Sequence, residues 1–205
     1  MLSINEIREA LHGCESDKGS FLPNSAYASV AMIFAGGGVD LDICFIRRAE
    51  RQGDPWSGQV AFPGGRASSQ DSCEEDVAER ETHEEVGLVL SSSDRIGKLP
   101  IRDVQRNELR NSLTLTPVLY CIPNERRALA VVKDEGEVAR VFWVPVRHLF
   151  DVSAVTSIDY PLRGGNNSYP GISYDGEIIW GLTLRILQSF ALMMKRDLPA
   201  MSSRD

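Results

Sequence analysis

The sequence predicts an α+β or mixed α/β fold, on three observations. Short apolar runs rich in β-branched residues, bounded by Gly, Pro, Asn and Asp, recur along most of the chain. Two longer stretches, one ending at Gly87 and one near the C-terminus, carry helical periodicity and are long enough to cover a sheet. The chain has 205 residues, 42% of them hydrophobic, with no internal repeat, low-complexity tract or linker. A chain of this size buries roughly 70% of its unfolded surface without disulfides. Residues 1–205 are therefore expected to form one domain: a helix near 4–12, a core over about 27–195 and a short polar tail.

The elements follow in order. Ile4 to Leu11 reads as a short amphipathic helix, and a polar stretch then leads to Tyr27. Tyr27–Ala35 and Leu41–Arg48 are apolar runs joined by Gly36-Gly37-Gly38-Val39-Asp40, which predicts a hairpin. Arg51 to Gly58 is a polar loop, and Gln59–Phe62 a short strand ending in a tight Pro63-Gly64-Gly65 turn. Asp71 and Glu74 have the spacing of a capping box, so a helix should start there and stop at Gly87. Arg95–Pro100, Leu113–Ile122 and Arg140–Val144 read as strands. Ser168–Asp175 and Glu177–Trp180 form a second hairpin around Asp175-Gly176, before a helix near Leu182–Lys195.

Composition excludes several classes. No apolar run approaches the ~20 residues of a membrane span. The acidic N-terminal segment MLSINEIREALHG lacks the basic-then-apolar order of a signal peptide. Cys14, Cys44, Cys73 and Cys121 are far apart, which argues against a zinc ribbon or a disulfide framework and suits a reducing cytoplasm. The net charge of −7 disfavours nonspecific nucleic-acid binding.

That charge is concentrated. Seven acids and one base make the window from Glu74 to Glu85 −6, which leaves −1 for the other 193 residues of the chain. A solvated helix face is the usual explanation of such a run. Here the acids have more structure than that. Glu81, Glu84 and Glu85 stand at i, i+3 and i+4, within an arc of roughly 100° on one helix. Beside them runs an apolar stripe of Ala78, Thr82, Val86 and Val89, so the acids border a buried face. Like charges at this spacing, close to the negative end of the helix dipole, gain nothing from local helix energetics. A hard divalent cation reverses the sign of the interaction, and all-oxygen ligands suit Mg2+ or Mn2+. Glycines just upstream let backbone approach a ligand closely.

The order Gly65-x5-Asp71-x8-Arg80-Glu81-Thr82-His83-Glu84-Glu85-Val86-Gly87-Leu88 resembles the box of the Nudix hydrolases. Its second half is complete. In the first half the acid is Asp71 in place of Glu, one extra residue separates it from Arg80, and Thr82 takes an aliphatic position; the first two departures bear on the usual pairing of that acid with the arginine. Upstream, Gly58-Gln59-Val60-Ala61-Phe62-Pro63-Gly64-Gly65 with Arg48-Ala49 resembles the coenzyme A pyrophosphatase branch, with one residue more between Arg48 and Gly58. The resemblance covers about residues 27 to 190. It implies an α/β/α sandwich with a mixed sheet between helices, and hydrolysis of the pyrophosphate of a nucleoside diphosphate linked to a second group. On this reading Glu81 and Glu85 are metal ligands, Glu84 a ligand or base, the Gly64 carbonyl part of the metal shell, and Arg80 an orienter of carboxylates. Dimers are common among such proteins.

Other residues join as candidates. Glu137, in Asp134-Glu135-Gly136-Glu137, lies where such enzymes often take a further ligand or base; an exposed turn acid is its plain alternative. Trp56 is placed either to stack on a base or to anchor its loop. Arg47, Arg48 and Arg51 suit bidentate phosphate binding, with surface arginines at a strand end as the alternative. Together with Gly65 these form the expected substrate-binding set. His83 is expected to face solvent, Trp143 and Trp180 to be core, and His12 and His148 show no partner pattern. A metal-dependent enzyme acting on a small nucleotide competes with a weakly catalytic nucleotide sensor, and the full set of glutamates favours the enzyme. Within the enzyme reading, coenzyme A and acyl-CoA come first, then ADP-ribose, dinucleotides and nucleotide sugars.

Overall fold

In the computed structural model, residues 2–12, 21, 26–54, 56–105, 112–162 and 165–202 are described. Cys14, Pro55 and nearly all of the polar stretch before Tyr27 lie outside them. The chain runs α1 (Ile4–His12), β1 (Tyr27–Gly37), β2 (Asp40–Arg48), β3 (Val60–Ala61), β4 (Gly64–Arg66) and α2 (Glu74–Val86). It continues with β5 (Arg95–Lys98), β6 (Arg102–Gln105), β7 (Ser112–Ile122), β8 (Val138–Pro145), β9 (Val155–Leu162), β10 (Gly165–Tyr174), β11 (Glu177–Trp180) and α3 (Gly181–Met193). No described helix is long and apolar enough to cross a membrane.

The larger sheet is mixed. Its path is β3-β2-β1-β7-β5, with β4 also on β1, β6 on β7 and β8 on β2. β1 and β7 run parallel, from Tyr27 opposite Thr114 to Ala35 opposite Ile122. The side chains of β1 alternate between two cores, as a strand buried on both faces requires. Met32 and Phe34 join α1 and α3 through Ile7, Leu11, Leu187 and Phe190, whereas Ala31, Ile33 and Ala35 join Ala78 and Val86 of α2. The result is the expected mixed sheet between helices. The small antiparallel sheet β11-β10-β9 lies on the α3 side, where Ile172 and Ile179 enter the same core.

One irregularity creates the site. On its β2 side, β1 changes partner along its length. Phe34–Gly37 pair with β2, but Ala28–Val30 pair with β4. β2 meanwhile turns to β3 at Ile46 and Arg47. The sheet forks here, and Pro63 bridges the fork by accepting the Ala31 N–H at 2.8 Å.

Several expectations need correction. The Pro63-Gly64-Gly65 segment is not simply a turn, because Gly64–Arg66 are a strand on β1. Asp71 does not cap α2. The helix begins after Cys73, which makes no side-chain cap, while Asp71 accepts hydrogen bonds from Ser68 and Arg80 instead. Val89 leaves the apolar stripe: α2 stops at Val86, Gly87 takes a left-handed φ of 69°, and Val89 is exposed. β6 has one apolar residue, Val104, and β9 contains Pro161, so neither shows strand periodicity; β9 is an edge strand, where proline is tolerated. The tail is not wholly polar and free, since Leu198 and Ala200 are buried around a short 3-10 turn.

Candidate active site

The fork in the sheet opens beneath α2 as a cavity of about 340 Å³. The lining includes Arg48, Trp56, Gly64, Gly65, Glu81, Glu85, Glu137, Leu182 and Thr183. Two glycines permit the close packing around it, Gly64 against β1 and Gly65 against α2. A Cβ on Gly64 would lie 2.3 Å from the Ser29 carbonyl oxygen, and one on Gly65 would lie 2.4 Å from the Glu81 carboxyl carbon. The Glu81 carboxylate thus rests on bare backbone. The Gly64 N–H donates to Glu85 Oε2 at 2.8 Å, which ties β4 to the last turn of α2.

Glu85 is 2% exposed. Burial raises its pKa to about 8 against the pull of the Gly64 N–H and Arg48, and the nearby Glu81 charge adds to the rise. Burial likewise raises Glu81, although Arg80 opposes it. Arg80 is the hub of the outer side. Its Nε and Nη2 donate to the two oxygens of buried Asp71, each at 2.9 Å, and Nη1 reaches Glu81 at 2.8 Å and Glu84 at 3.1 Å. Asp71 therefore pairs with the arginine despite its shorter side chain and the extra residue. Removing one partner of a buried pair typically costs about 3–5 kcal/mol, so this fork is a firm platform for Glu81.

The remaining predicted residues divide. Glu84 is mostly exposed, with 55% of its side chain accessible, and bonds Arg80 without lining the cavity. Arg47 points to Glu50 and Glu177 and does not line it either. Arg51 donates through both terminal nitrogens to Glu137 Oε1 at 3.2 Å and through Nε to the Gly136 carbonyl. It thereby joins the loop after β2 to the loop before β8. His83 is exposed, and Trp143 and Trp180 are buried. Three residues escaped notice in the sequence. Thr183 enters from the first turn of α3 and bonds the Val60 carbonyl, 123 residues away, with Leu182 beside it. Asp54 accepts from Arg48 Nη2 at 2.8 Å and from the Trp56 N–H at 3.0 Å. Only the Asp-x-Trp turn spacing around Asp54 was a local signal.

Residues 25–162 match the NUDIX domain family. The chain belongs to the Nudix family. It is 32% identical over 174 residues to an uncharacterized Nudix hydrolase, NudL, of Yersinia enterocolitica, covering 84% of each protein. A NudL of Enterobacter sp. is 34% identical over 137 residues, 67% of each. A MutT/nudix family protein from Enterococcus faecalis shares the fold, with a TM-score of 0.56 at 17% identity over 98% of this chain and 74% of that one. As a Nudix hydrolase the chain is an enzyme, a pyrophosphohydrolase, and its α2 is the helix of the Nudix box.

Nudix hydrolases use divalent metal ions, and the residues around Gly64 and Gly65 fit such an ion. Glu85 is a buried carboxylate beside a second one, Glu81, and the donors are all oxygen. Among the described residues no three acidic, His or Cys side chains stand close enough to hold an ion as placed. Arg80 and Arg51 engage Glu81 and Glu137 instead.

The raised Glu85 has a measurable consequence in the metal-free protein. The folded state keeps a proton on Glu85 that the unfolded chain, at an ordinary value of 4.5, has released. The stability from this group is complete below about pH 4.5 and is lost as pH rises towards 8. Glu85→Gln keeps an acceptor for the Gly64 N–H but cannot ionise. In EDTA, its Tm advantage over wild type should grow steadily from pH 5 to pH 8; a difference that stays constant would mean that Glu85 is ionised throughout.

Proposed function

We propose that residues 1–205 act as one Mg2+- or Mn2+-dependent domain that cleaves the pyrophosphate of a nucleoside diphosphate linked to a second group, with coenzyme A and its acyl derivatives as the preferred class. The observation that carries this reading is the buried Glu85, anchored on the Gly64 N–H beside the Glu81 carboxylate that lies over Gly65. The same cavity offers a guanidinium, Arg48, and a flat ring, Trp56. The coenzyme A class rests on Arg48-Ala49 and the Gly58–Gly65 segment.

Glu81 and Glu85 would hold the ions, with the Gly64 carbonyl beside them. Divalent ions neutralise the pyrophosphate and acidify the attacking water when bound. Arg80 would orient Glu81 from behind and is not itself among the residues that line the cavity. Arg48 would pair with a phosphate oxygen and Trp56 would lie against the base. Glu137 lines the cavity and would take the proton from water, whereas Glu84 would act from the outer rim. Its partner Arg51 then acts on substrate only after leaving Glu137. Arg47, turned to Glu177, is the weakest of the phosphate candidates.

The test is the mass of the products. With coenzyme A and magnesium, water should add at one phosphorus of the 5′-pyrophosphate and the bridging P–O bond should break, leaving 3′,5′-ADP and 4′-phosphopantetheine. Acyl-CoA should be cut with its acyl group intact, because no Ser-His or Cys-His pair stands in the cavity lining to attack a thioester. Dephospho-CoA, or free CoA from acetyl-CoA, would contradict the site. Cleavage of ADP-ribose to AMP and ribose 5-phosphate, with coenzyme A untouched, would keep the mechanism and discard the substrate.

A further inference from the structure

Arg48 is unusual among the residues of the cavity. Its Nε is buried and bonds nothing among the described residues, yet its charge acts on the Glu85 carboxylate in the same cavity. An arginine with a spare donor beside the buried Glu85 should fold onto it, since charge-assisted bonds in a low-dielectric site are the strong ones. Here it does not. Its bond goes to Asp54 at 2.8 Å, and Asp54 spends its other oxygen on the Trp56 N–H at 3.0 Å. Asp54 is largely buried, and although burial alone would raise its carboxyl, these two donors hold it below the usual range, so it stays charged at neutral pH.

We propose that Asp54 is a positioning residue that restrains Arg48 from pairing with Glu85, and so keeps Glu85 available to a divalent ion while fixing Trp56 in the same wall. This rests on the carboxylate site proposed above. Arg48 and Glu85 enter from different elements, the end of β2 and the end of α2, and both line the one cavity. Without the Asp54 charge Arg48 is released to turn to Glu85, which its charge already reaches, and a Glu85 oxygen bonded to an arginine is taken from a metal.

The experiment is Mn2+ binding to the metal-free protein without substrate, followed by calorimetry or by the resonance signal of the free ion. Asp54→Ala and Asp54→Asn should each bind Mn2+ about tenfold more weakly than wild type. Asp54→Asn retains an acceptor for the Trp56 N–H, so its defect reports the charge and not a collapsed turn. The double variant Asp54→Ala/Arg48→Ala should recover the affinity of Arg48→Ala alone. A merely structural role predicts no such rescue. Unchanged affinity in both Asp54 variants overturns the proposal, as does a defect that persists in the double variant. Glu85→Gln serves as the control: if it does not weaken Mn2+ binding, the carboxylate site itself is wrong and the role of Asp54 falls with it.

Discussion

Glu85→Gln is expected to lower kcat by at least ~10²-fold while KM changes far less, because the lost charge acts on the transition state and not on the docked nucleotide. The variant should fold at least as well as wild type without metal, since it removes a carboxyl whose ionisation burial opposes and keeps the bond to the Gly64 N–H. Stability and activity therefore move in opposite directions, which separates a catalytic loss from a folding loss. Steady-state kinetics on a substrate that wild type cleaves, with melting curves alongside, measures both. Activity within a factor of about three of wild type would remove Glu85 from the site.

The second large effect contrasts two adjacent glycines. Gly64→Ala pushes a Cβ to 2.3 Å from the Ser29 carbonyl oxygen and 2.6 Å from Val30 Cα, at a φ of 150°. Those atoms belong to the backbone of β1 and cannot yield, so the loss should be about 3 kcal/mol or more of stability. Gly65→Ala meets only the end of a side chain, the Glu81 carboxylate at 2.4–2.6 Å. That end can swing away, so the fold should survive with a Tm within a few degrees of wild type. The carboxylate is displaced all the same, and kcat should fall by about 10–10²-fold. Equal Tm values for the two variants would show that the fork between β1 and β4 is looser than its register implies.

The parts of the site that could be read in the sequence are those that one element carries. Glu81 and Glu85 are four residues apart on α2, and Gly87 marks where it ends, so periodicity and one glycine suffice. The hairpin of β1 and β2 was readable for the same reason: its apolar runs meet at a glycine turn. What periodicity cannot carry is direction. Glu84 shares an arc with Glu81 and Glu85, yet Arg80 takes it to the surface. Asp71 has the spacing of a cap, but the charge of Arg80 is a stronger partner than a helix N–H. Arg47 and Arg48 are neighbours, and the register of β2 against β8 shifts between them, so one meets Glu177 and the other lines the cavity. Thr183 belongs to the site through a tertiary contact that leaves no local pattern, and Asp54 is marked only by its spacing to Trp56.

The bond from Thr183 to Val60 also sets a clock. A growing polypeptide presents the carboxylates of α2 first, and the wall that completes their cavity arrives with α3, roughly a hundred residues later. At typical rates of synthesis that is an interval of about 5–20 seconds. Throughout it the acidic helix is present but faces no closed cavity, so an unfinished chain carries the carboxylates without the wall that completes the pocket beside them. A closed cavity arrives only with α3.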